Sequence, residues 1–298
     1  MNPHLLKFHL KPEHSFNIRY DVVPHFYNNW HYHPEIELVY IIKGSGKQFV
    51  GDSVHLFKPG DMLLLGAGLP HLWSSDKKFL RKNSRLKMEA IVMHFMPQCL
   101  GDQFFSLPEN KALAKLMERS QQAVRIKDNT KLTVVDMMNQ LLLAKYTARI
   151  ILLLQILNTI AHSKQTKTVC TGGLIFQNNP VESERLNNVF QYTLENFSKQ
   201  ITLQQVAKIA HLSQQSFCRY FKSRIKKTFS RFLMEIRIGN ACKLLAETHS
   251  SISTICYQCG YNSLSNFNRQ FKSITGKTPQ AHRKYYQEAN TAKQPNAI

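Results

Sequence analysis

Between Phe16 and Phe95 the apolar positions come in short bursts. IELVYII, KQFVG, HLF, DMLLL and MEAIVMHF are continuous or alternating apolar runs, broken at Gly44-Ser45-Gly46, Pro59-Gly60-Asp61 and Gly66-Ala67-Gly68. Short runs separated by glycine-rich turns predict β-strands in a barrel or a sandwich. From Glu109 to about Ala161 the period lengthens. Val134, Met137, Met138, Leu141, Leu142, Lys145, Tyr146, Arg149 and Ile150 follow the i, i+3, i+4 rule of one helix face. That stripe could close the barrel from outside or pair with a second subunit. His162 to Ser183 is polar and without period, and reads as a linker.

The rest of the chain repeats itself. VAKIAHLSQQSFCRYFKSRIKKTF, from Val206, aligns with ICYQCGYNSLSNFNRQFKSITGKTP, from Ile255. Ala207 and Ala210 match Cys256 and Cys259; after a turn that is one residue longer near Asn262, Ser213, Phe217, Arg219, Phe221 and Lys222 match Ser263, Phe267, Arg269, Phe271 and Lys272. Each copy predicts a short helix, a turn, and a second helix opened by a capping serine. The phenylalanines lie four apart on the inward face. The outward face carries Gln214, Gln215, Cys218, Arg219 and Lys222 in the first copy, and Leu264, Ser265, Asn268, Arg269 and Lys272 in the second. Arginine can bond guanine in bidentate fashion, glutamine and asparagine can bond adenine, and lysine can hold phosphate. Met234, Ile238, Ala241 and Leu245 predict a helix joining the two copies. Cys256 and Cys259 have no second pair nearby and align with alanines, so they read as small buried residues rather than a metal or redox pair.

Charge strengthens this reading. The 298 residues carry a net +20, and from Ser183 onward there are 17 basic and 5 acidic residues. Such an excess points to a polyanionic partner. Nine of the 13 histidines precede residue 95, so two chemistries are segregated along the chain. The length suits two domains. The six irregularly spaced cysteines give no disulfide framework, the N-terminal stretch lacks the apolar core of a signal peptide, and the longest apolar run is too short to span a membrane. These features predict a cytoplasmic protein.

Two resemblances now become specific. The segment from about Arg185 to Tyr286, and LSNFNRQFKSITGKTP above all, resembles the paired helix-turn-helix domain of AraC-type transcription regulators. The resemblance implies seven helices and base contacts from Gln215, Arg219, Ser265, Asn268 and Arg269, within a DNA-facing set that includes Gln214, Lys222, Asn266 and Lys272. At the turn where the second copy has the family's usual glycine, Gly276, the first has Lys226. Trp30 to Asp52 resembles the first cupin motif through His31, His33, Glu37 and Gly44, with His25 in place of an expected glycine. GDMLLLGAGLPHLWSS resembles the second motif through Gly60, Gly68 and His71, with Gly66 for a proline and Ser75 for an asparagine. In metal-bearing cupins the equivalents of His31, His33, Glu37 and His71 converge on one divalent ion. Beside aromatic residues such as Trp30, Tyr32, Tyr40 and Trp73, the same groups suit a hydroxylated small molecule, and a purely structural polar cluster is the third reading. No residue stands out as a catalytic acid or base.

The expected fold is α+β multidomain: a cupin-like β-barrel sensing an effector (1–105), a helical extension with a dimerisation role (106–162), a linker (163–182) and an all-α double helix-turn-helix (183–298). The expected function is effector-responsive, sequence-specific DNA binding, not enzymatic, with His31, His33, Glu37, His71 and Trp73 at the effector and no cofactor required, a divalent metal on His31, His33, Glu37 and His71 being the alternative. The expected partners are promoter DNA, the effector (a sugar or sugar derivative by family analogy), a second copy and, for an activator, RNA polymerase, but no membrane. The rival from another class is a cupin metalloenzyme fused to a DNA-binding domain.

Overall fold

The computed structural model describes residues 14–26, 30–81, 84–170 and 180–291, with the side chains of 77, 180–183, 187 and 286–291 left out. The residues read for a signal peptide lie mostly outside this range. The chain separates into two compact units, 1–183 and 184–298.

Among its described residues the first unit has nine strands: β1 (Phe16–Val23), β2 (Ile36–Lys43), β3 (Gly46–Val50), β4 (Ser53–Phe57), β5 (Met62–Leu65), β6 (His71–Ser75), β7 (Met88–Phe95), β8 (Val124–Ile126) and β9 (Thr166–Thr168). Its helices are α1 (Lys77–Leu80), α2 (Lys111–Ser120), α3 (Asp128–Leu143) and α4 (Thr147–Ala161). The strands form a six-stranded sheet in the order β1-β7-β2-β5-β8-β9 and a three-stranded sheet in the order β4-β3-β6. The expected barrel is therefore open: among the described residues no ladder joins the edges of one sheet to those of the other. The chain crosses between the sheets at Gly44–Gly46, where φ is +119° at Gly44 and a Cβ on Gly46 would strike the Ser74 carbonyl.

β2 is buried on both faces, which explains its nearly continuous apolar sequence. Leu38 packs with Met62, Leu64, Ile91 and Met93 against the helices, through Leu116, Val134, Met138, Leu141, Leu153, Ile156 and Ile160. Val39 and Ile41 face the other way, into a second core with Val50, Phe57, Leu63, Leu65, Trp73 and Val92. The helical stripe thus covers the outer face of the large sheet, the first of its two expected roles.

Three expectations need correction here. The helical pattern of residues 109–161 is interrupted by β8, which the edge of β5 recruits as a three-residue strand too short to show a period. The stripe does not run through Lys145 and Tyr146: α3 ends at Leu143 and α4 starts at Thr147, with Tyr146 at φ +51° between them. The linker is not wholly irregular, because Thr166–Thr168 pairs with β8 as β9, although residues 171–179 lie outside the described range.

The second unit contains seven helices among its described residues: α5 (Pro180–Asn196), α6 (Leu203–Ile209), α7 (Gln214–Ile225), α8 (Phe229–Glu247), α9 (Ile252–Gln258), α10 (Leu264–Thr275) and α11 (Pro279–Thr291). Thr202, Ser213, Thr228, Ser251, Ser263 and Thr278 each accept a backbone N–H three residues ahead, so the starts of α6 to α11 are fixed by the sequence. Cys256 and Cys259 are fully buried with Leu245, Phe267 and Phe271, as small core residues.

Candidate ligand site and nucleic-acid interface

Two backbone links bring the histidine motifs together. His31 and His71 exchange both N–H to C=O bonds, at 3.0 and 2.8 Å, and Gly68 N–H donates to the His33 carbonyl at 2.7 Å. Register does the rest. Glu37 on β2 lies opposite His94 on β7, and the inward alternation of Met88, Ala90 and Val92 carries His94 to the same face. His31, His33, Glu37, His71 and His94 are all buried.

Three imidazoles converge on one carboxylate oxygen. Glu37 Oε2 is 3.1 Å from His33 Nε2, 3.5 Å from His71 Nε2 and 3.0 Å from His94 Nε2. Burial alone would raise the Glu37 carboxyl, but hydrogen bonds from His33, His71 and His94 and the charge of His71 outweigh it and hold the group well below the usual carboxylate range. Burial pushes the His94 imidazole below its ordinary value, against the pull of Glu37.

The histidines do not play one role. Arg19 Nη1 lies 3.2 Å from His94 Nδ1. A guanidinium only donates, so His94 accepts at Nδ1 and donates from Nε2 to Glu37. His33 and His71 are the reverse: their Nδ1 atoms lie 3.0 and 2.8 Å from the carbonyls of Glu35 and Leu69, which only accept. When neutral, these rings turn an Nε2 lone pair toward an oxygen that also accepts, and only the protonated rings donate to Glu37. A shared proton or a bound cation relieves that opposition. Anchoring Nδ1 on a carbonyl while Nε2 converges with a carboxylate is how metal-binding histidines are oriented. His31, His33 and His71 have ligand atoms within 4.8 Å of one another, as do His33, Glu37 and His94. Glu37 thus groups with His94 rather than with His31, and His94, with Arg19 at its Nδ1, points its Nε2 at the carboxylate.

His94 escaped the sequence reading, although an imidazole on the apolar inward face of MEAIVMHF was its signal. Gln48 escaped too. It faces inward opposite Trp73, fully buried, with neither amide atom in hydrogen-bond reach of a protein group among the described residues. Trp73 itself packs against Phe57 at 5.2 Å and Phe26 at 6.4 Å inside the apolar core, and Tyr40 points to the helix-covered face of β2.

In the second unit the two recognition-type helices match position for position. From Ser213 to Arg224 and from Ser263 to Ile274 the order of exposed, intermediate and buried residues is identical over the full twelve positions. Gln214, Gln215, Arg219 and Lys222 are exposed on α7, and Ser265, Asn268, Arg269 and Lys272 on α10. Arg219, Lys222 and Lys272 form no ion pair among the described residues. Asn266 differs from the rest of the expected set: it is half-buried, and its Oδ1 accepts from Arg269 Nη2 and Gln270 Nε2, both at 3.1 Å.

Residues 18–130 match the AraC-like ligand binding domain family, and residues 206–285 match a helix-turn-helix domain family. The HTH-type transcriptional regulator YdeC of Bacillus subtilis (strain 168) is 26% identical over 265 residues, covering 85% of this chain and 85% of that protein. The HTH-type transcriptional activator RhaR of Mannheimia succiniciproducens is 25% identical over 263 residues, covering 83% of each. The raffinose operon transcriptional regulatory protein RafR of Pediococcus pentosaceus is 26% identical over 102 residues, covering 34% of this chain and 37% of that protein.

Proposed function

This chain belongs to the AraC family of DNA-binding transcription regulators, and we propose that its first unit senses a small molecule at the histidine–glutamate cluster while α7 and α10 read promoter DNA. The observation that carries the reading is the twelve-position match in exposure between α7 and α10, with Arg219 and Arg269 at equivalent outward positions. Outward polar and basic side chains at equivalent places on two helices suit two successive major-groove contacts. No described helix is long and apolar enough to cross a membrane.

A hydroxylated effector, a sugar or sugar derivative, suits the histidine–glutamate cluster. The buried amide of Gln48 offers it one donor and one acceptor that no protein group uses. The raffinose operon regulator among the relatives supports that class. The test begins by selecting a duplex from a random library with full-length protein, then follows release from it across a sugar panel. Replacing Gln48 by Leu should stabilise the protein by about 1 kcal/mol or more, since a buried unsatisfied amide is removed, yet abolish the response. A full response in that variant overturns Gln48 as an effector contact.

The orientation of His33 and His71 favours a second reading, in which His31, His33, Glu37 and His71 hold a divalent cation that polarises or anchors the effector. Elemental analysis of purified protein, before and after chelator, should then give one ion per chain, lost in a Glu37→Gln variant. His94→Gln should weaken ion binding less, because His94 orients the carboxylate rather than ligating. Turnover of a substrate would favour the metalloenzyme instead.

A further inference from the structure

The first unit carries a groove of about 520 Å³ that none of these roles uses, between the segment before β1 and the junction of α3 with α4. Its walls are apolar at Phe16, Leu142, Leu143 and Ile150. Its polar character has one sign: His14, Lys145 and Arg149 line it, and among the described residues no acidic one does. Arg149 is held in place. Its guanidinium sits over the Phe16 ring at 4.8 Å and its Nη2 donates to the Phe16 carbonyl at 3.1 Å, which leaves most of its five donors unused. Neither Arg149 nor Lys145 forms an ion pair among the described residues. At the rim Leu143 is 84% exposed and Tyr146 89% exposed.

We propose that this groove binds an organic anion with an apolar body, its carboxylate seated on Arg149 and its apolar part between Leu142, Leu143 and Ile150. A preset guanidinium recognises a carboxylate through two parallel hydrogen bonds. A concave apolar wall with a few convergent polar groups is the general form of a small-molecule site. The competing occupant is a second copy of the chain. A two-fold contact centred on this groove would bring Lys145 and Arg149 toward the same cations of the partner, with no acidic residue among the described lining to separate them. Charge therefore favours the anion.

Titration calorimetry on the full-length protein tests this with 2-naphthoate and decanoate against their uncharged alcohols. The carboxylates should bind and the alcohols bind about tenfold more weakly or worse, the value of one charge-assisted contact. Arg149→Gln should bring the acids down to the level of the alcohols and leave the alcohols unchanged. Leu143→Glu, at a position too exposed to disturb folding, should weaken the acids by repulsion. No binding of either acid, equal affinity for acid and alcohol, or wild-type affinity in both variants overturns the proposal. So does a sedimentation shift from dimer to monomer in the Arg149 variant without carboxylate binding, which would make the groove a subunit contact.

Discussion

The two helix-turn-helix copies share one plan and differ in how tightly it is held. Both place phenylalanines at equivalent core positions, Phe217 and Phe221 against Phe267 and Phe271. Both end the recognition-type helix in the left-handed region, at Lys226 (φ +58°) and Gly276 (φ +73°), and turn before it at His211 (φ +52°) and Gly260 (φ +81°). In the first copy both left-handed positions hold residues with a side chain; in the second both are glycine. The second copy adds a relay that the first lacks. Arg237 lies over Tyr261, the Tyr261 hydroxyl donates to Gln270 Oε1 at 2.8 Å, and Gln270 and Arg269 both donate to Asn266. Arg219, the equivalent of Arg269, makes no side-chain hydrogen bond among the described residues. The same outward arginine is thus held by neighbours in one copy and free to search in the other.

The largest effect should come from filling the glycine of the second turn. A Cβ at Gly260 would lie 2.7 Å from the Phe197 carbonyl oxygen, on a backbone that L residues avoid. Gly260→Ala should therefore cost roughly 3 kcal/mol, adding left-handed strain to a backbone clash, and hydrogen exchange should show α9 to α11 opening far more readily. His211→Gly should do the opposite, and mildly, in the first copy. Equal tolerance at both turns would remove the asymmetry.

Next in size is base reading. Arg269→Ala should cost about 1–3 kcal/mol on a selected duplex and relax preference at one base pair, while a random duplex binds almost as before. Arg219→Ala should relax preference less, because an untethered guanidinium loses more entropy on docking. Lys222→Ala and Lys272→Ala should weaken all duplexes alike and lower the slope of log affinity on log salt by about 1 each. If Arg219 and Arg269 behave alike, the relay does nothing for recognition.

The reason the repeat was legible and the first unit only partly so is physical. Helix-turn-helix copies are specified by local signals, capping Ser or Thr residues and phenylalanines four apart, and the alignment of Ser213 with Ser263 carried the exposure pattern with it. The His31, His33, Glu37 and His71 set was legible because motif spacing encodes it. His94 joins only through the pairing of β2 with β7, a contact between residues 57 apart in sequence, so its local signal, an imidazole on an apolar strand face, does not say which residues it meets. β8 and β9 are three residues each and exist because the edge of β5 accepts β8 and the edge of β8 accepts β9. Trp73 could not be placed from sequence, since a tryptophan two residues from a site histidine serves a core as readily as a pocket.

A smaller effect is expected at Lys226. A non-glycine residue in the left-handed region costs on the order of 1 kcal/mol, so Lys226→Gly should stabilise the first copy by about 0.5–1 kcal/mol in denaturant unfolding. Gly276→Lys should cost the second copy about as much, since a Cβ there meets no atom within 4 Å and only the backbone conformation resists it. An unchanged midpoint in both variants would mean that the two caps are equivalent despite their residues.

The smallest difference is one of pH. His282 occupies in the second copy the place of Phe232 in the first: its ring meets Phe271 at 5.4 Å, as Phe232 meets Phe221 at 5.4 Å. Burial, and then the charge of Lys277, holds the His282 imidazole below its ordinary value of 6.5. The unfolded chain therefore takes up this proton first. Stability from this residue is complete above pH 6.5, declines as pH falls from 6.5 toward the lower native value, and levels off below it. Amide exchange followed from pH 7.5 downward, corrected for its intrinsic pH dependence, should show α10 and α11 losing protection while α7 and α8 keep theirs. His282→Phe, which gives the second copy the ring of the first, should abolish that divergence. The imidazole is half-exposed, so the effect is small, but its sign is fixed: a second copy that tightened on acidification would mean that His282 gains an acceptor when protonated.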